Sequence, residues 1–137
     1  MNRAINKLKK YKEIKADIIH IDLELEELEI DMLGISGQID GERTSKTYKV
    51  TSPVESQLEK YLEKKEKLLI SKARKEREIA RIDNALSVLK DEERDIIETA
   101  LIKGDKYSLL EIKYNRTYAR LKQIEYKALK TIKKYII

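Results

Sequence analysis

The sequence predicts an all-α fold: a long, coiled-coil-like antiparallel helical hairpin followed by a C-terminal helix-turn-helix. Three observations lead there. Lys, Glu, Leu and Ile dominate a chain of 137 residues in which 40% are charged, with one Pro, four Gly and no Phe or Trp, a balance that suits helices over sheets. Apolar residues recur at spacings of three and four over most of the length, the period of one helix face. Near residue 90 that pattern changes from long seams to short segments bounded by capping residues.

The first helix is expected from about Arg3 to Leu33. Ile14, Ile18, Ile21, Leu25, Leu28 and Met32 form a heptad seam, and Ile19, Leu23 and Ile30 widen it toward a second partner. Its charges are polarised. Arg3 to Lys15 holds six basic residues and one Glu, whereas Asp17 to Asp31 holds seven acidic residues and no Lys or Arg. From Gly34 to Pro53 lie three of the four glycines, the only proline and a run of Ser, Thr and Gln, which predicts a loop of about twenty residues. Gly34, Gly37 and Gly41 are not read as a phosphate cradle.

Thr51 or Ser52 is placed to cap a second long helix with Pro53 at its first position. Val54, Leu58, Tyr61, Leu68, Ile79, Ile82, Leu86 and Leu89 continue a broken heptad along it. Two such helices fold back on one another because neither apolar stripe can stay exposed, and the acidic half of the first then faces Lys60, Lys64, Lys65 and Lys67. The apolar content is thin for a closed hairpin, so a second copy of the chain is an expected partner. Residues 1–90 are read as this hairpin and residues 91–137 as the helix-turn-helix.

Asp91 is expected to cap a helix over Glu92 to Lys103, with carboxylates early and Lys late as the helix dipole prefers, and Gly104 to end it. Tyr107 to Tyr114 makes a brief helix with Tyr107, Leu110 and Tyr114 on one side. Asn115 tolerates a left-handed turn, and Thr117 caps a last helix running to about Tyr135. Lys113 to Ile137 holds eight Lys or Arg against one acid, Glu125, so this segment carries +7 in a chain of +5. At about 100° per residue, Leu121, Ile124, Ala128, Thr131, Ile132 and Tyr135 share one side. Arg116, Arg120, Lys122, Lys127, Lys130, Lys133 and Lys134 share the other. An apolar stripe with a cationic back, after a short helix and a turn, is what entry into a phosphate-lined major groove requires.

Leu89 to Lys133 resembles region 4 of bacterial sigma factors and the related phage late-gene transcription activators of the ArpU and RinA type. The densest match is Arg120-Leu121-Lys122-Gln123-Ile124-Glu125-Tyr126-Lys127-Ala128-Leu129-Lys130. Upstream, Asp91 to Glu98 followed by Lys103-Gly104 looks like the helix that opens that domain. The resemblance implies that bases are read from Tyr118, Ala119 and Gln123, and a Gln can bond adenine bidentately. The DNA-binding residues expected are Lys113, Arg116, Thr117, Tyr118, Ala119, Arg120, Lys122, Gln123 and Lys127.

Enzymatic chemistry is not expected. His20 is the only histidine and there is no Cys, so thiolate zinc sites are excluded and no His cluster can form. The carboxylates of Asp17 to Asp31 lie on an open helix without a desolvated cleft to shift them. No cofactor, metal or membrane span is expected, and the expected location is the cytoplasm. The sequence favours a sequence-specific transcription regulator of phage or prophage origin that binds double-stranded DNA, with RNA polymerase as a further expected partner. Two alternatives are a small terminase-like packaging subunit and a coiled-coil adaptor that binds only protein.

Overall fold

The computed structural model describes residues 2–41 and 47–136, and side chains within 2–34 and 55–136. Among the described residues there are six helices and no strand: α1 (Asn2–Lys9), α2 (Tyr11–Gly41), α3 (Thr47–Val88), α4 (Asp91–Ile97), α5 (Tyr107–Tyr114) and α6 (Tyr118–Ile136). Lys10 separates α1 from α2, although backbone bonds from Lys10 to Asn6 and from Ile14 to Lys10 carry the helical ladder across it. α4 continues as a wider π turn over Glu98–Ile102.

Two expectations about the middle of the chain change. The predicted loop at 34–53 is much shorter, because α2 runs on to Gly41 and α3 begins at Thr47; residues 42–46 lie outside the described residues. Pro53, expected at the first helical position, stands inside α3. Glycine in a helix costs only about 1 kcal/mol relative to Ala, so a glycine-rich composition marks a weak helix as readily as a loop. At the end of α3, Lys90 rather than Asp91 is the extended residue before α4, and its N–H donates to Glu93 Oε1 at 3.3 Å.

The chain divides into two compact units, Met1–Ala16 with Lys75–Ile137, and Asp17–Arg74. The division therefore does not fall at Lys90. In the first unit, α1, the end of α3, α4 and α6 share one core: Leu8, Ile82, Ala85, Leu86, Leu89, Ile97, Leu101, Ala128, Leu129, Ile132 and Ile136 are all buried in it. A smaller cluster of Ile96, Leu110 and Leu121 joins α4, α5 and α6. A segment starting at Lys90 could not close this core, since Leu8 and Ile82 supply one wall.

The second unit contains the remaining parts of α2 and α3. Asp22 pairs with Lys72 at 2.6 Å, Leu28 lies beside Lys64 and Leu68, and Met32 beside Tyr61. Residue numbers rise along α2 as they fall along α3, so these two segments run in opposite senses. Glu24, Glu27 and Asp31 face Lys64 and Lys67 across a shallow groove, as the polarised charges predict.

Because Leu8 is fully buried against residues from α3, α4 and α6, Leu8→Ala should cost about 2–5 kcal/mol. The measurement is the urea-unfolding midpoint followed by helicity. A loss below about 1 kcal/mol would mean that α1 is not part of this core.

Candidate nucleic-acid interface

The C-terminal helix is oriented by its apolar side. Leu121, Glu125, Ala128, Leu129, Ile132 and Ile136 are buried, which is an arc of roughly 100° at about 100° per residue. The expected stripe was broadly right but turned slightly: Ile124 and Tyr135 are half-buried, Thr131 is exposed, and Leu129 and Ile136 take its place. Thr131 Oγ1 donates back to the Lys127 carbonyl at 3.0 Å, the usual use of a threonine facing solvent on a helix. Opposite the buried arc stand Ala119, Arg120, Gln123, Lys127, Lys130, Lys133 and Lys134, all exposed.

The start of this helix is built by local chemistry. Asn115 closes α5 in the left-handed conformation, φ 51° and ψ 49°, and the Arg116 N–H reaches the Glu111 carbonyl at 3.3 Å. Thr117 Oγ1 then accepts the Arg120 N–H at 3.2 Å, satisfying a helix-end donor that has no partner within the helix. Gly104 turns the chain between α4 and α5 with φ 71°, a conformation that a side chain would strain.

Glu125 was not anticipated as a site residue. It is 4% exposed, accepts a short hydrogen bond from the Tyr107 hydroxyl, and has Lys122 Nζ at 3.6 Å. The same ammonium lies over the Tyr107 ring, 4.8 Å from its centroid, and the Tyr107 and Tyr118 rings meet edge to face at 5.1 Å. Burial, with the hydrogen bond to Glu125 adding to it, pushes the Tyr107 phenol up to about 12, so it stays a neutral donor. Helical geometry contained the clue: Glu125 is the only acid in Lys113–Ile137, and it falls in the middle of the apolar arc.

Two acids of α4 hold the turn from the other side. Asp95 accepts from Lys113 Nζ at 2.7 Å, from the Tyr114 hydroxyl in a short bond, and from Thr99 Oγ1 at 3.3 Å. Glu92 Oε1 lies 2.6 Å from Arg116 Nε; this contact is ionic and off the hydrogen-bond line, since neither buried atom has a hydrogen-bond partner. Lys113, Arg116 and Lys122 are thus tied to carboxylates of their own unit. Of the other expected residues, Thr117 serves as a cap, Arg120 Nη1 donates to Gln123 Oε1 at 3.3 Å, and Tyr118 is 51% exposed. Ala119, Gln123 and Lys127 are exposed on the outer face.

Among the described residues no group of acids and histidine could hold a metal ion, and no helix is long and apolar enough to cross a membrane. His20 is paired with Glu24 on its own helix at 2.8 Å. No protein-family model, curated protein or solved structure matches the chain.

The hydrogen bonds from Lys113 and then Tyr114 hold the Asp95 carboxyl below its ordinary range. A depressed pKa means that the carboxylate is favoured in the folded state. Its contribution is complete above the ordinary carboxylate value near ~4 and is lost as pH falls through the lower folded value. Asp95→Asn should therefore lower the urea midpoint at neutral pH, with the gap to the parent protein constant down to about pH 5 and closing below it. A gap that persisted unchanged to about pH 2 would show that Asp95 acts without its charge.

Proposed function

We propose that this chain is a sequence-specific DNA-binding regulator of transcription, of the phage or prophage kind its C-terminal segment resembles, acting by insertion of α6 into the major groove. In this reading α5, the Asn115 turn and α6 are the helix-turn-helix, and the paired segments of α2 and α3 are the hairpin available to RNA polymerase or to a second copy. The observation that carries it is the outer face of α6. Arg120, Gln123, Lys127, Lys130, Lys133 and Lys134 are exposed together on the side opposite a buried stripe that fixes the helix's rotation.

The roles divide along the helix. Near its capped start, Ala119 and Gln123 stand on the outer face to meet base edges, with Arg120 already bonded to Gln123, whereas Tyr118, packed edge to face on Tyr107, falls on the side of the buried arc and reads no base. Lys127, Lys130, Lys133 and Lys134 supply phosphate contacts, which position a protein on the duplex and carry no sequence information of their own. Lys113, Arg116 and Lys122 are partly neutralised by Asp95, Glu92 and Glu125 and contribute less than their formal charges suggest.

Five cations outside those pairs reaching roughly three to five phosphates give a log-log salt slope of about −3 to −4.5. Gln123→Ala should cost about 1–3 kcal/mol on the true site and little on unrelated DNA. Lys134→Ala should weaken all duplexes about equally and lower the salt slope by about one. Footprinting on the DNA around its own gene supplies the specific duplex, and competition against random duplex reads both effects. Equal weakening of both duplexes by Gln123→Ala would refute groove docking by α6. Failure to retain any DNA at low salt would refute the whole reading in favour of a protein-only adaptor.

A further inference from the structure

The second unit carries an apolar face that its own helix pair does not cover. On α2, Ile19, Leu23, Ile30 and Leu33 are between 52% and 67% exposed. At about 100° per residue they fall within an arc of roughly 80°, turned roughly 140° from the Ile18, Ile21, Leu25, Leu28 seam. On α3, Leu58, Leu62 and Leu69 are between 40% and 52% exposed, turned by roughly 100° in the same rotational sense from Tyr61 and Leu68. The two segments run in opposite senses, so equal-handed rotation on each carries both seams to the same side of the pair. The opposite side holds the groove that Glu24, Glu27, Asp31, Lys64 and Lys67 line together with Leu28 and Leu68. Acids and lysines thus gather on one side of the pair, and apolar residues at heptad spacing on the other.

Each exposed seam is interrupted once, at equivalent places, by opposite charges. Glu26 stands between Leu23 and Ile30, and Lys65 between Leu62 and Leu69; both are exposed. We propose that this face binds a second copy of the chain, with α2 of each copy on α3 of the other in a twofold four-helix arrangement. Face-to-face packing of a helix pair allows two twofold axes. An axis lying across the helices would set α2 on the partner's α2, bringing the acidic run Asp17–Asp31 against itself. An axis parallel to the helices sets α2 on the partner's α3, where Leu58–Lys72 holds five Lys and three Glu. Charge therefore selects the second arrangement.

That arrangement also settles the register. An axis parallel to the helices preserves heights along them, and Asp22 is level with Lys72 within one copy. At 1.5 Å per residue, Leu23 comes within about 3 Å of the level of the partner's Leu69, and Ile30 within about 3 Å of that of the partner's Leu62. Glu26 comes within about 5 Å of the level of the partner's Lys65, within the span of two long side chains. A single polar layer in an apolar seam specifies register and orientation at some cost in stability, and here that layer occurs twice, related by the axis.

The test uses the full chain in sedimentation equilibrium, with helicity checked for each variant. The expected species is a dimer of twice the 16.1 kDa chain mass. Glu26→Lys and Lys65→Glu, both at exposed positions, should each raise the dimer dissociation constant on the order of tenfold or more, because each places like charges across the seam twice. An equimolar mixture of the two variants should associate as the parent does, since every Lys then meets a Glu. Leu23→Gln should weaken association with unchanged helicity. A chain that stays monomeric at about 100 µM, single reversals that leave association intact, or a mixture no better than either variant alone would each overturn the proposal.

Discussion

Burial of Leu8, Ile82 and Ile132 in one core is the constraint on which the rest of the first unit depends. These residues come from α1, α3 and α6, so all three helices must meet before any of them can withdraw its apolar stripe from water. Full burial of such a side chain is worth about 1.5–3 kcal/mol, and α6 places Ala128, Leu129, Ile132 and Ile136 in the same core. Rotation of α6 by one residue would bring a lysine inward, at a cost far above that gain. The outward direction of its cationic face follows from the core rather than from any preference of the lysines.

Packing alone does not hold α5. It has eight residues, and only Leu110 among them is buried, so its position relies on polar anchors at both ends. Tyr107 is bonded to Glu125 of α6 and Tyr114 to Asp95 of α4, each neutral phenol donating to a carboxylate. Arg116 beside Glu92 adds a third tie just beyond the helix. These ties explain why three of the most basic positions around the turn are engaged inside the unit, leaving the exposed charge concentrated from Arg120 onward.

Local chemistry was legible in the sequence and distant contacts were not. The limits of α5, the left-handed Asn115 and the Thr117 cap each depend on a few adjacent residues, so their types sufficed to place them. The shared core did not show in the sequence, because nothing in the spacing of Ala4 and Leu8 says that their partners lie more than seventy residues away. Reading the chain as 1–90 and 91–137 followed the change of periodicity at Lys90, a change in helix length rather than a boundary of packing. Between Gly34 and Pro53 composition does not fix geometry, and the helices run further, to Gly41 and from Thr47, than weak helix formers suggest. Glu125 was counted as a charge among cations when its angle placed it among leucines.

The charges of the two units are distributed differently. In the second unit acids and lysines answer one another within the pair, as Asp22 does with Lys72, and thirteen acids against nine Lys or Arg over Asp17–Arg74 leave that unit at −4. On α6 the single acid is buried and bonded to a tyrosine, leaving the outer lysines unopposed on their own helix face. Fixed charges that are neutralised locally specify which surfaces fit, whereas an unopposed row of like charge attracts a polyanion over the Debye length, about 8–10 Å at physiological salt. Of the eight cations in Lys113–Ile137, Lys113, Arg116 and Lys122 are of the first kind, and Arg120, Lys127, Lys130, Lys133 and Lys134 of the second. Those five lie on the face of α6 whose direction the core fixes.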